Sequence, residues 1–256
     1  MKKIIIKDLN FGYYDTEIFR NFSLEIDEGE TLTILGPNGS GKTTLLKLIQ
    51  KIILPKSGDI IISGKNINNI TNKALSKSTS FVPQIHNQTF PYRVIDFVLM
   101  GRNPYISDYS IPKEEDIEIA NKVLEEMGLY YLKDRPYTDI SGGELRLVLI
   151  ARGIVQNTEI LLLDEPTAFL DFKNQLIVLE TIKELKEKKK LTVIMTLHNP
   201  NEAYKYSDKI LLIKKGEVIS YGKPIDVIND ENLKKVYSVD VEIVRYNGET
   251  IIYAKK

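Results

Sequence analysis

Cysteine is absent from the 256-residue chain. The chain therefore has no disulfide framework, which agrees with a reducing compartment. An excess of positive charge is also missing, because lysine plus arginine and aspartate plus glutamate number 35 each. A protein that binds the phosphate backbone of a nucleic acid usually carries such an excess. We therefore expect no nucleic-acid partner.

Long hydrophobic runs are missing as well. The apolar stretch near the N-terminus, Ile4-Ile-Ile6, is ended by Lys7 and Asp8, far short of the apolar region of a signal peptide. No run approaches the roughly 18 apolar residues of a membrane-spanning helix. We therefore expect any transport role to require a separate membrane subunit. The composition, 43% hydrophobic and 27% charged, predicts one elaborated domain over residues 1–256.

A glycine-rich octapeptide, Gly36-Pro-Asn-Gly-Ser-Gly-Lys-Thr43, matches the pattern G-x-x-x-x-G-K-[ST]. It lies between the strand-like run 31–35 and the helix-like run 42–49. In this context glycines let backbone N–H groups turn inward around phosphate oxygens, and the helix dipole points its positive end at them. Lys42 would reach the β- and γ-phosphates and Thr43 would ligate Mg²⁺. The predicted nucleotide-binding residues are Gly36, Pro37, Asn38, Gly39, Ser40, Gly41, Lys42, Thr43 and Thr44.

A second candidate element is an apolar run, Ile160-Leu-Leu-Leu163, that leads directly into two acidic residues. The run predicts a buried parallel strand. Acidic side chains at the carboxyl end of such a strand are costly unless they meet a cation or water, and ligands bind at this edge of α/β sheets. Asp164 is therefore the candidate partner of Mg²⁺ and Glu165 the candidate general base. The alternative is an acidic surface turn.

Between these elements stands Ile140-Ser-Gly-Gly-Glu144, followed by a helix-like run. Alone it would indicate only a loop before a helix. Together with the other two motifs it resembles the signature of the ABC-transporter ATPase family, which is close to Leu-Ser-Gly-Gly-Gln. The family often carries basic residues directly after the signature, where this chain has Leu145, Arg146 and Leu147. The signature residues implied to contact nucleotide are Ser141, Gly142, Gly143 and Glu144.

The resemblance implies an α/β fold with a P-loop NTPase (RecA-like) core, an N-terminal antiparallel β subdomain and an inserted α-helical subdomain over residues 87–150. Short β-type runs near 3–9, 20–26 and 59–64 agree with the first of these subdomains. A helix with Ile117, Ala120, Leu124 and Met127 on one face agrees with the second. The implied activity is ATP hydrolysis with Mg²⁺. A homodimer would hold two ATP molecules between the phosphate loop of one subunit and the signature of the other.

Further family positions are matched one by one. Tyr13 corresponds to the aromatic residue that stacks on adenine, with Tyr14 beside it as the other candidate and a core aromatic as the alternative. The resemblance assigns Gln84 to Mg²⁺ and water, Asp171 to a contact with the partner subunit, and His198 to the γ-phosphate. The alternative for His198 is a structural histidine with no part in catalysis. The implied catalytic residues are Glu165, His198 and Lys42.

The stretch 98–105 and the tail 221–242 resemble the ATPases of iron-siderophore, haem and vitamin B12 importers. This implies integral-membrane permease subunits, an indirect connection to a solute-binding protein, and a peripheral position on the cytoplasmic face of the membrane. Met100, Arg102 and Tyr105 are expected to meet a short permease helix, with Arg102 available for a carboxylate or a helix end. The alternatives are a zinc, manganese, molybdate or other ABC transporter, and a soluble ABC ATPase that drives no transport.

Overall fold

The computed structural model describes residues 1–84, 90–107, 110–246 and 249–255, so His86, which the sequence places on the surface, lies outside them. The strands are β1 (Lys2–Tyr13), β2 (Thr16–Asp27), β3 (Thr31–Leu35), β4 (Ser57–Ile62), β5 (Lys65–Asn66), β6 (Thr79–Val82), β7 (Ile160–Leu163), β8 (Thr192–Leu197), β9 (Lys209–Lys214), β10 (Glu217–Gly222), β11 (Val241–Tyr246) and β12 (Glu249–Ala254). The helices are α1 (Lys42–Ile49), α2 (Asn72–Leu75), α3 (Val94–Leu99), α4 (Glu114–Glu126), α5 (Gly142–Val155), α6 (Phe172–Lys189), α7 (Pro200–Tyr206), α8 (Pro224–Val227) and α9 (Asp230–Tyr237).

The chain forms two compact units, of which the first combines Met1–Thr71 with Thr192–Lys256 and the second is Asn72–Leu191. In the first unit β1 lies between β2 and β4 in an antiparallel sheet. Ile4 is opposite both Ile26 and Ile62, and all three side chains are buried because directly opposite residues of neighbouring strands lie on the same face of the sheet. The predicted antiparallel β region is thus confirmed.

The first unit also contains neighbouring strands in the order β10, β9, β3 and β8. All five residues of β3 are buried, and β3 is parallel to both β8 and β9. A strand that is buried along its whole length is typical of a parallel sheet that is covered on both faces. Leu35 is opposite Leu197, so the segments that follow β3 and β8 leave at the same sheet edge.

The second unit combines α2–α6 with the parallel pair β6 and β7. In this pair Val82 is opposite Leu163, and the Asp164 N–H donates to the Val82 carbonyl at 2.9 Å. The carboxyl ends of β6 and β7 therefore lie side by side, which brings the segments carrying Gln84 and Glu165 together. The predicted bounds of the helical insertion, 87–150, stay a prediction.

Helix α4 keeps only part of its predicted buried face. Ala120 and Leu124 are fully buried, whereas Ile117 and Met127 are half-buried. Asp116 is buried as well, with 8% of its surface exposed, although an aspartate is rarely buried unless its carboxylate is paired. Specific partners explain this burial.

Asp116 has two partners: the Arg102 Nε donates to its Oδ1 at 2.9 Å, and the Lys113 N–H donates to its Oδ2 at 3.1 Å. The Arg102 guanidinium also donates to the Val155 carbonyl at 3.2 Å and lies 4.1 Å from the ring centroid of Tyr105. Only 7% of Arg102 is exposed. The prediction that Arg102 is available to a permease carboxylate is therefore wrong, because an internal carboxylate, a carbonyl and an aromatic face already occupy it.

Replacing Asp116 with alanine is expected to lower the free energy of unfolding by about 2–3 kcal/mol at neutral pH, because it leaves a buried guanidinium without its carboxylate and the Lys113 N–H without its acceptor. Hydrogen bonding to Arg102 holds the pKa of Asp116 below its usual value. The stabilisation is thus present above the ordinary aspartate pKa of about 4 and is lost as the pH falls through the lower folded-state value. Urea unfolding across this range should show the difference from wild type shrinking in acid. Glu118→Ala, at an exposed site on the same helix, is the control, and equal midpoints for the two variants would contradict the account.

Candidate nucleotide-binding and catalytic site

The phosphate loop begins with Gly36, directly after β3, and leads into α1, whose first residue is Lys42. Gly36 must be glycine because a Cβ there would lie 2.3 Å from the Ile213 carbonyl oxygen. Gly41, at the N-terminus of α1, has a φ of 104°, and a Cβ there would meet the Phe19 ring at 2.8 Å. Both positions therefore allow the backbone to close tightly in front of the helix.

The Lys42 side chain folds back over this loop. Its Nζ donates to the Gly36 carbonyl at 2.8 Å and to the Pro37 carbonyl at 3.2 Å, and 5% of the residue is exposed. The Ser40 hydroxyl oxygen is buried and has no hydrogen-bond partner among the described residues. A buried hydroxyl without a partner beside a buried ammonium and a helix N-terminus fits a site for phosphate oxygens. Thr43 and Thr44 follow in the first helical turn and are half-buried.

Two further predicted residues share the first unit with the phosphate loop. His198 follows β8 directly and is exposed, and the register of β8 with β3 places it at the sheet edge from which the loop leaves. Tyr13 is the last residue of β1 and meets the Phe11 ring edge-on, with centroids 4.9 Å apart. Tyr13 is 40% exposed and Tyr14 is 97% exposed, so neither ring belongs to the core.

The second unit brings together the candidate base and the candidate glutamine. The Gln84 amide nitrogen donates to the Glu165 carboxylate. Glu165 has a φ of 46°, in the left-handed region that residues other than glycine rarely adopt. Strain of this kind costs about 1–3 kcal/mol and is concentrated at functional sites. Asp164, next to it, is 3% exposed.

Arginine at position 146 also belongs to this group, and its role does not follow from the sequence. Its guanidinium donates to the carbonyls of Pro83 and Gln84 at 3.0 Å and 2.8 Å. Burial lowers the pKa of Arg146, and the nearby carboxylates of Asp164 and Glu165 oppose that effect. The sequence does show a single charged residue between two leucines, and such a charge needs a partner when it is buried.

The signature segment forms the N-terminus of α5. Ser141 is its N-cap residue, and the Ser141 N–H and hydroxyl donate to the Glu144 Oε2 at 2.8 Å and 2.6 Å. The Tyr131 hydroxyl donates to the Glu144 Oε1 at 2.7 Å. The Ser141 and Tyr131 hydrogen bonds hold the pKa of Glu144 below its usual value. Glu144 thus acts here as a capping carboxylate that orients the Ser141 hydroxyl.

The two signature glycines differ in their surroundings. Gly142 is exposed, and a Cβ there would meet nothing within 4 Å, whereas a Cβ at Gly143 would lie 2.6 Å from the Asn174 side chain. Asp171 lies between β7 and α6, and its carboxylate caps α6 by accepting from the Asn174 N–H at 2.8 Å. Its predicted contact with a partner subunit stays a prediction.

A family model described as ABC transporter matches residues 19–168. The chain belongs to the ABC transporter family. An uncharacterized ABC transporter ATP-binding protein of Methanocaldococcus jannaschii is 41% identical, with 96% of each chain covered. A petrobactin import ATP-binding protein of Bacillus anthracis is 36% identical, with 99% of this chain and 93% of that protein covered. A molybdate import ATP-binding protein of Haemophilus influenzae is 35% identical, with 92% and 88% covered.

Among solved structures, one described as an inward-facing metal-chelate type ABC transporter has a TM-score of 0.88 at 32% identity and covers 100% of this chain and 98% of that chain. The α/β fold of the P-loop NTPase class, predicted from the sequence, is thereby confirmed. This ABC transporter family member is an ATPase, which binds and hydrolyses ATP. No helix in the described part of the chain is long and apolar enough to cross a membrane.

Proposed function

We propose that this ABC ATPase powers the import of a metal chelate, namely an iron-siderophore, haem or cobalamin, through a separate membrane permease. The ATPase would bind to the permease at the cytoplasmic face of the membrane. The observation that carries the proposal is the likeness to the metal-chelate type transporter over the whole chain. The petrobactin relative, which aligns with 99% of this chain, supports the same solute class. Molybdate is the second candidate, favoured by the Haemophilus influenzae relative.

For the nucleotide site we propose that Tyr13 stacks on adenine and that residues 36–44 bind the phosphates. Tyr13 is preferred to Tyr14 because the Phe11 contact holds its ring in place. The buried Ser40 hydroxyl and the Lys42 ammonium supply a donor and a positive charge to the phosphates. His198, at the same sheet edge, would donate to the γ-phosphate.

We propose Thr43, Gln84 and Asp164 as the magnesium ligands, because hydroxyl, amide and carboxylate oxygens are of the kind that Mg²⁺ prefers. Within the described ranges no group of three or more His, Asp or Glu side chains could hold a metal ion. This agrees with an ion that is held largely by substrate phosphates and water. When bound, the ion neutralises negative charge on the phosphates. Glu165 would accept a proton from the attacking water, and Gln84, which already donates to Glu165, would orient both.

We further propose that two copies share each site. Ser141 and Gly142 are exposed at the N-terminus of α5, whose dipole favours an anion. In a homodimer with two-fold symmetry, the signature of each chain would face the nucleotide held by the other. Asp171 would contact the partner copy from its place at the start of α6. A solute-binding protein would act indirectly, through the permease.

The test is uptake by the complex of this chain with its permease, reconstituted in vesicles with ATP at the face that carries the ATPase. A labelled ferric siderophore, haem, cobalamin and molybdate are supplied in turn. We expect ATP-dependent accumulation of one of the three chelates and none of molybdate. Accumulation of molybdate alone would overturn the solute assignment, and ATP hydrolysis without any uptake would overturn the role in these imports.

A further inference from the structure

Arg146 is a buried cation in an otherwise apolar part of α5. Its neighbours in the helix, Leu145 and Leu147, are apolar, and only 6% of Arg146 is exposed. A guanidinium stays charged in proteins, so its removal from water must be offset by hydrogen bonds and by opposite charge. Both are present on one side of the helix.

The hydrogen bonds connect α5 to the segment that carries the candidate glutamine. The two terminal nitrogens of Arg146 donate separately to the carbonyls of Pro83 and Gln84, at 3.0 Å and 2.8 Å. The planar fork of a guanidinium fixes both distances at once. Arg146 therefore fixes the main chain at Gln84 relative to α5.

The next link is made by the Gln84 side chain, whose amide donates to the Glu165 carboxylate. A path of hydrogen bonds thus leads from α5 through Gln84 to Glu165. The carboxylates of Asp164 and Glu165 lie near the Arg146 guanidinium and supply the opposite charge. The first helical residues of α5 are those of the signature.

We propose that Arg146 is a positioning residue for ATP hydrolysis, which holds Gln84 and, through it, the Glu165 carboxylate in a fixed relation to the signature helix. The inference rests on the proposed role of Glu165 as the base. Its consequence is that a displacement of α5 is passed to the base of the same chain, while nucleotide binding at residues 36–44 does not depend on Arg146.

The test compares the steady-state ATPase kinetics of three variants with those of the wild type. Arg146→Met keeps an apolar stem but removes the guanidinium fork and the charge. Arg146→Lys keeps the stem and the charge but removes the fork. The matched control is Arg152→Met, because the Arg152 guanidinium is also partly buried on α5 but lies 4.7 Å from the Phe97 ring centroid. We expect kcat to fall about 10- to 100-fold in Arg146→Met with KM for ATP within about twofold of wild type. Arg146→Lys should recover part of kcat, and Arg152→Met should keep it.

A wild-type kcat in folded Arg146→Met would overturn the proposal. So would a wild-type kcat in Arg146→Lys, which decides the question if the methionine variant does not fold, because an ammonium cannot reproduce the fork. An equal loss in Arg152→Met would show a general disturbance of α5 and would also overturn it. Glu165→Gln is measured beside them. Turnover retained there would overturn the role of Glu165 and the positioning role together, whereas turnover lost there but retained in Arg146→Met would overturn only the positioning role.

Discussion

Replacing Glu165 with glutamine is expected to abolish ATP turnover while leaving ATP binding intact. The amide keeps the shape of the side chain but cannot accept a proton from water. Loss of a general base typically lowers the rate by a factor of about 10²–10⁴, although the variant differs only by an amide in place of a carboxylate. The strained backbone at Glu165, with a φ of 46°, agrees with a residue retained for its chemistry. ATP hydrolysis is measured as phosphate release and ATP affinity by calorimetry.

A matched control is Glu187→Gln, the same exchange at an exposed position of α6. It should leave both turnover and affinity unchanged. Glu165→Gln should also accumulate as an ATP-bound dimer, because a closed two-chain site that cannot hydrolyse ATP does not reopen. Size-exclusion chromatography with and without ATP detects that species. A variant that turns over ATP at close to the wild-type rate would contradict the assignment of the base.

Replacing Lys42 with alanine is expected to weaken ATP binding itself, by a factor of about 10–100, because a hydrogen bond to a charged group is worth about 1.5–3 kcal/mol. The ammonium is buried and is held over the loop by the carbonyls of Gly36 and Pro37, so it is positioned before the nucleotide arrives. Titration with a fluorescent ATP analogue measures the dissociation constant directly.

The control for this variant is Lys51→Ala. Lys51 is also a lysine of the first unit whose ammonium donates to two carbonyls, those of Ile67 and Ile70, both at 2.8 Å. It lies outside the phosphate loop, so its loss should change stability and not ATP affinity. Equal dissociation constants for Lys42→Ala and wild type would contradict the phosphate-loop assignment.

The phosphate loop could be predicted because its information is local. Eight consecutive residues set the positions that need glycine and the cation, and the flanking strand and helix lie where the apolar patterns place them, at Thr31–Leu35 and Lys42–Ile49. The buried strand Ile160–Leu163 is predictable for the same reason. The hydrogen bond between Gln84 and Glu165 is not predicted, because nothing in the local sequence connects two residues so far apart and the family resemblance assigns Gln84 only to Mg²⁺ and water.

The features that escaped prediction are tertiary. Arg102 meets Asp116, and Arg146 meets the Gln84 carbonyl, only because separate helices and loops pack together. Helix α6 gives a smaller example. The helical spacing of Leu176, Leu179, Ile182 and Leu185 predicts one buried face, but Leu176 is half-buried and Val178 is buried instead. The periodicity predicts a helix correctly, whereas the width of the covered face depends on neighbours that the sequence does not name.

In the proposed homodimer, each ATP site combines the phosphate loop of one chain with the signature of the other. The most direct test mixes a Lys42→Ala chain with a Ser141→Arg chain after cross-linking has shown that mixed dimers form. Each variant alone places one lesion in both sites and should be inactive. A mixed dimer has both lesions in one site and none in the other, so the mixture should regain about a quarter of the wild-type rate per chain if the sites act independently. Where one intact site is sufficient for turnover, a mixture that forms mixed dimers and remains as inactive as its parents would contradict the shared site.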